Sequence, residues 1–307
     1  MLLHCLISHK NNSLRTIESA YESIVFQLLN NHNKGSVRFN SISERLSVIN
    51  PNYFEQLFLS CVNKYKKSMG SKGNNIIRFD STIVGLSSSL IDIGYQTGGD
   101  SLNIKQLKFT IGYSEIPEVV NFHHESSYTS ENKALKETIL NQQKNKGQVR
   151  IFDRGISSRN TYDEFTERKI NYISRLNNKP KHKENKPNCL PKAVYTESLK
   201  IINDSWVYLF STSDKKAKHP VRPIEAIILT SNEKITFVTN SDKLSVSQIT
   251  ELYRRRWDIE VFFKFLKQEL NFKHLLNRSE NGIKVMLYVT MIAAILLLVY
   301  KKKNDSS

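Results

Sequence analysis

Residues 285–300 read VMLYVTMIAAILLLVY, an uncharged run closed by Lys301, Lys302 and Lys303. A helix that is apolar on every side must be enclosed, by protein or by lipid. The run is shorter than the roughly 20 residues that cross a bilayer. It is therefore expected as a buried core helix, with a C-terminal membrane anchor as the competing reading. A chain of 307 residues can enclose such a helix and still build more than one domain.

Residues 1–70 predict helices. SLRTIESAYESIVFQLL spaces its apolar residues at helical intervals, with Ser13 as the N-cap. The character changes at KGNNIIRFDST. Ile76, Ile77 and Phe79 form an apolar run that ends at Asp80 and reads as a buried strand. LKFTIGYS (107–114) and IPEVVNF (116–122) predict two strands with a tight connection. SENKALKETILNQQK (130–144) predicts a helix, and QVRIFDRG (148–155) a strand ending at Asp153 before a glycine turn. NNKPKHKENKPN (177–188) reads as a basic loop, and apolar, β-branched runs follow it up to about residue 240. His123 and His124 are adjacent, so in a strand they would point to opposite faces. A solvated turn is expected there rather than a metal pair.

Lys and Arg number 45 against 29 Asp and Glu, a formal net charge of +16. That surplus points to a polyanionic partner, either nucleic acid or an anionic membrane. Cys5, Cys61 and Cys189 are odd in number and far apart, in no metal-binding spacing. A disulfide framework and a structural zinc are thereby set aside, and a reducing compartment is expected. The start, MLLHCLISHKNN, lacks the basic opening and cleavage site of a signal peptide. The expected location is the cytoplasm, in association with the nucleoid.

ELYRRRWDIEVFFKFLKQEL (251–270) predicts a single helix starting near Ser245. At about 100° per residue, Tyr253, Arg256, Glu260 and Lys267 fall within about 60° of one another. Leu252, Ile259, Phe262, Phe263, Leu266 and Leu270 form the adjoining apolar stripe. A row of mixed charges beside a stripe is usually a solvated face. Asp80 and Asp153 give this row another use. Each ends an apolar strand, and sites on open α/β sheets form at the carboxyl ends of strands. A helix crossing that edge would add Glu260. Three carboxylates make a site for Mg²⁺, with Mn²⁺ as substitute, and a pair of such ions can cut a phosphodiester. Arg256 and Lys267 would then grip phosphates, and Tyr253 would hydrogen-bond or stack.

YRRRWDIEVFFKFLK matches Tyr-x2-Arg-x3-Glu-x6-Lys, and this signature resembles that of the DDE transposases of bacterial insertion sequences, in the branch founded on insertion sequence four. RFDST at Asp80 and FDRG at Asp153 resemble the family's two aspartate motifs. The similarity runs over roughly residues 70 to 300. It implies a ribonuclease-H-like α/β core interrupted by a β-rich insertion and preceded by a helical, DNA-binding region. The divisions expected are 1–70 for that region, 71–159 for the first part of the core, 160–242 for the insertion and 243–307 for the closing helices. The resemblance also implies catalysis by Asp80, Asp153 and Glu260 through two divalent ions, with insertion-sequence ends and target DNA as substrates and a homodimer on the DNA. Characterised relatives of this branch cut through a hairpin, for which the insertion would supply a base-stacking ring at Trp206. The rival reading is a DNA-binding remnant of an insertion sequence without catalysis.

Overall fold

The computed structural model describes residues 2–8, 13–30, 36–69, 75–86, 93–96, 105–142, 147–156, 158–176, 182–187, 195–210, 216–272 and 275–304. Cys189 and residues 177–181 of the expected loop lie outside them. The chain opens with helices α1 (Leu2–Ser8), α2 (Leu14–Glu22), α3 (Ile24–Asn30), α4 (Phe39–Val48) and α5 (Asn52–Met69). Ser13 caps α2, its side chain accepting from the Thr16 N–H at 3.0 Å. Next come β1 (Ile76–Leu86), β2 (Tyr95–Gln96), β3 (Lys105–Tyr113) and β4 (Pro117–His123). They are followed by α6 (Glu131–Asn141), β5 (Val149–Phe152), α7 (Arg159–Glu167) and β6 (Asn171–Arg175). The remainder comprises β7 (His182–Pro187), β8 (Leu199–Leu209), β9 (Arg222–Ile228) and β10 (Lys234–Thr239), then α8 (Val246–Arg254), α9 (Trp257–Glu269) and α10 (Glu280–Asn304).

All the strands join one ten-stranded sheet in the order β2-β3-β1-β5-β6-β10-β9-β8-β7, with β4 paired to β3. β1, β3 and β4 form an antiparallel meander, while β5 and β6 run parallel to β1. Helices α6 and α7 make the crossovers that parallel neighbours require. The stretch expected as insertion from residue 160 thus opens with a helix and a strand that continue the parallel layer. From β10 onward the added strands are antiparallel.

Both faces of the sheet are covered. Phe79, Phe152 and Tyr172 pack under Leu135 and Ile139 of α6 and Phe165 of α7. On the other face, Val84, Leu107, Phe109 and Ile111 meet α9, α10 and the N-terminal helices, and Ile151, Ile173, Ile224 and Phe237 meet α8. The expected core helix is α10, which packs against α5, α4, α1 and β4. By length and composition it could also cross a membrane, but 72% of its most apolar window is buried inside the protein. Its first turn enters closely: a Cβ on Gly282 would stand 2.4 Å from the Asn277 side chain.

Four expectations need correction. Asp80 does not end its strand: β1 outruns β5 and continues to Leu86 because β3 still pairs with it, so Asp80 lies mid-strand, opposite Ile111. HKENKP (182–187) is not loop but the strand β7, paired antiparallel with β8. Its lysines and proline hid it, and those are residues that suit the last strand of a sheet. His123 is not in a solvated turn; it ends β4 and is 6% exposed. Residues 251–270 are not one helix, since the α-helix stops at Arg254 and restarts at Trp257.

Candidate active site

The site begins with two adjacent strands. β1 and β5 pair in parallel, and the last matched residues are Phe79 and Phe152. Side chains alternate along strands. Phe79 and Phe152 both enter the core beneath α6 and α7, so the next residues, Asp80 and Asp153, are neighbours that turn to the opposite face. That face is crossed by α8 and α9.

A capping box at Ser245 and Gln248 starts α8. Near its end the Tyr253 ring packs edge-on against Phe237 at 5.1 Å, and the Tyr253 hydroxyl donates to Asp153 Oδ1 at 2.8 Å. The backbone then tightens: the Arg256 N–H donates to Tyr253 O at 2.9 Å and the Asp258 N–H to Arg255 O at 3.2 Å. Beyond this bend α9 buries Ile259, Phe262, Phe263 and Leu266, with Phe262 stacked on Tyr113 of β3 at 4.5 Å. Glu260 stands in the first turn of the same helix. The Arg256 guanidinium donates to Glu260 Oε1 and lies 3.9 Å from Asp80 Oδ2. Tyr253, Arg256, Glu260, Asp80 and Asp153 therefore form one linked cluster. Lys267 stands further along α9, its Nζ 5.8 Å from the centroid of the Phe263 ring.

The two aspartates differ in charge. Burial, with added repulsion from Glu131 and Glu260, raises the Asp80 pKa to about 6, against the pull of the Ser81 N–H and Arg256. At Asp153 burial acts in the same direction but is outweighed. The Arg154 N–H, the Tyr253 hydroxyl and the charge of Arg256 hold it below the usual carboxylate range. Arg256 in turn is held protonated, its burial outweighed by Glu260, Tyr253 and Asp153. Among the described residues no three His, Cys, Asp or Glu side chains stand at the spacing of ligands to one ion. Arg256 is the cation between Asp80 and Glu260.

Trp206 lies outside the cluster. It is on β8, which β5, β6, β10 and β9 separate from β1, a lateral offset on the order of 24 Å at ~4.8 Å per strand. An exposed aromatic residue adjoins the cluster in sequence: Trp257, next to Arg256 and 61% exposed. Sequence reading passed over it because it looks like one more apolar residue of the helix. Glu131 was also missed. It begins α6, lies 3.8 Å from the buried Lys108 Nζ, and fills the space that a Cβ on Gly155 would need, 2.4 Å from its own Cγ. This accounts for the glycine of FDRG.

Residues 71–296, which contain the whole cluster, match the family described as the transposase DDE domain. The chain is 28% identical over 158 residues to y4zB of Sinorhizobium fredii, named as a transposase, covering 52% of this chain and 44% of that one. It is 28% identical over 232 residues to the protein of Synechocystis sp. named as a transposase for insertion sequence element IS4SA, covering 72% of this chain and 59% of that one. The chain thus spans about half the length of these curated relatives. Its fold is similar to that of the piggyBac transposase in a cryo-EM synaptic complex with hairpin DNA, at a TM-score of 0.50. That likeness covers 99% of this chain and 65% of the other at 10% identity, so it speaks for the fold alone, which is ribonuclease-H-like. With Asp80 on β1, Asp153 just past β5 and Glu260 on α9 all inside the matched segment, the chain belongs to the transposase DDE domain family, among relatives from bacterial insertion sequences.

Proposed function

We propose that this chain is a DNA transposase that cuts the ends of its insertion sequence and joins their 3′-hydroxyls to target DNA, as a homodimer on the DNA. One observation carries the reading: the guanidinium of Arg256 stands between Asp80 and Glu260, and its charge also acts on Asp153, which Tyr253 holds. The carboxylates fit divalent metal in their chemistry. They are hard oxygen donors of the kind Mg²⁺ prefers, and burial with the nearby negative charge raises the Asp80 pKa to about 6, a shift that a further cation would oppose. Asp80, Asp153 and Glu260 would hold the ions, taken as two. When bound, such ions supply an ionised water and neutralise the leaving oxygen.

The protein's own side chains do the rest. Tyr253 keeps Asp153 ionised and oriented through its hydroxyl. Arg256 exchanges its carboxylate partners for a DNA phosphate, which its planar fork suits, and Lys267 meets a second phosphate as a point charge. A hairpin route needs a base near the cut to leave the stack. The exposed indole of Trp257 gives that base a surface, and Trp206 would meet DNA away from the cut. We also divide the chain so that the core includes residues 71–176 and 243–307, with 177–242 inserted. The parallel pairing of β6 with β5 supports a boundary later than residue 160.

The test is cleavage of duplexes carrying the DNA that flanks the gene, with Mg²⁺ or Mn²⁺ and with chelator. Strand cutting is expected only with metal, and is expected to vanish in Asp80→Ala, Asp153→Ala and Glu260→Ala while DNA binding stays within a few-fold. Cutting by any one variant at the wild-type rate removes that residue from the site. Tight binding without cutting under every condition would favour the remnant reading.

A further inference from the structure

Arg78 lies on β1 two residues before Asp80, on the same face, and is 0% exposed. A buried guanidinium is costly unless its N–H groups find acceptors. Arg78 Nε donates to the carbonyl of Arg255 at 2.6 Å and Nη1 to the carbonyl of Ser114, in the β3–β4 turn, at 2.7 Å. Nη2 is ion-paired with Asp258 at 2.8 Å, at an angle outside hydrogen-bond geometry. Arg255 is the last cap of α8, and Asp258 stands in the first turn of α9. One side chain of the strand that bears Asp80 therefore holds both sides of the bend between the two helices. Its grip on the Arg255 carbonyl also explains the bend: the Ile259 N–H, which a continuous α-helix would give to Arg255, goes to Arg256 O instead. Arg255 adds a bond to Glu115 at 3.1 Å and a contact with Asp258 at 3.6 Å. Stability alone does not call for this arrangement, because apolar residues of similar volume usually serve a core as well as a buried ion pair.

We propose that Arg78 is a positioning residue, a strut from β1 to the α8–α9 bend that sets where Arg256 and Glu260 stand over Asp80. The proposal rests on the assignment of Asp80, Asp153 and Glu260 as the cutting site. Two variants test it. Arg78→Lys keeps the charge but loses the fork, and Asp258→Asn alters a partner whose side chain is 45% exposed, so that folding is spared. For each, amide exchange at residues 253–260 is compared with that of α10. Mn²⁺ affinity is measured by electron paramagnetic resonance on the protein without DNA, beside a melting curve. The expected result is faster exchange at the bend alone and Mn²⁺ binding weakened roughly tenfold, as for other groups that orient metal ligands, with Arg78→Lys the more affected. Unchanged exchange at the bend would overturn the proposal. So would exchange raised throughout the chain with a lowered melting temperature and unchanged Mn²⁺ affinity, which marks a purely structural residue. Wild-type protein that binds no Mn²⁺ would overturn the carboxylate assignment instead; exchange at the bend needs no metal and separates the two failures.

Discussion

His123 stacks on Tyr128 at 4.4 Å inside the end of β4. Burial holds its pKa at about 4, against an ordinary 6.5, with Glu137 opposing and Lys108, His124 and Lys133 reinforcing. Below about pH 6.5 the unfolded chain takes up a proton that the folded chain refuses until about pH 4. The contribution of neutral His123 is thus complete above 6.5 and fades as pH falls toward 4, by at most about 3 kcal/mol. His123→Phe is expected to flatten the decline of melting temperature between pH 6.5 and 4; an unchanged slope would assign that decline to other groups. The two tryptophans offer a second residue-level test. Trp257→Ala is expected to leave the melting curve in place and slow the step after the first nick by roughly tenfold or more, since base–aromatic stacking contributes about 1–3 kcal/mol. Trp206→Ala is expected to spare that step. The reverse pattern would return the base contact to the insertion. The end of β5 before Asp153 was legible because an apolar run that stops at an aspartate is a simple pattern; the same pattern misplaced Asp80, since β1 continues past it beside β3. Arg78 was not legible, because a lone charge in a strand reads as a solvent-facing residue until its acceptors are known, and those are supplied by residues 114, 255 and 258.

The helical wheel brought Tyr253, Arg256, Glu260 and Lys267 together on the assumption of a straight helix. The gathering of the first three stands, by a different route. The bend lets Tyr253 reach Asp153 from α8 while Glu260, on α9, pairs with Arg256. Bends of this kind arise from tertiary hydrogen bonds and leave no periodic trace in sequence. The start of α8 is fixed in a similar way. Arg222 of β9 makes a two-pronged pair with Asp204 of β8, at 2.8 and 2.7 Å, and also donates to the carbonyls of Ser241 and Leu244, just before the α8 cap. Strands β8 and β9 therefore hold one end of the helix pair and β1 holds the bend. Asp204 is 3% exposed, so Arg222→Met would take the two-pronged partner away from a buried carboxylate. Its expected cost is about 3–5 kcal/mol in denaturant unfolding, with much of it recovered in Arg222→Met with Asp204→Leu. Two single-variant losses that simply add would show that the pair is not coupled.

One sheet runs from the meander that carries Asp80 to β7, and α10 closes the face where α9 lies. The enclosure of the 285–300 run was legible from its uniform apolarity. The continuity of the sheet across the insertion was not, because strand order depends on pairings between segments distant in sequence. For the molecule as a whole, the proposed function requires that Asp80, Asp153 and Glu260, from β1, the end of β5 and α9, act as one metal site. Iron-directed backbone cleavage measures this without DNA or turnover. Fe²⁺ is bound to the folded protein, ascorbate and peroxide are added, and the cut positions are mapped. Asp153→Ala and an excess of Mg²⁺ serve as controls. The predicted result is cutting near residues 80, 153 and 260 together, suppressed by Mg²⁺ and lost in the variant. Cutting confined to one of these segments, or unaffected by either control, would contradict it.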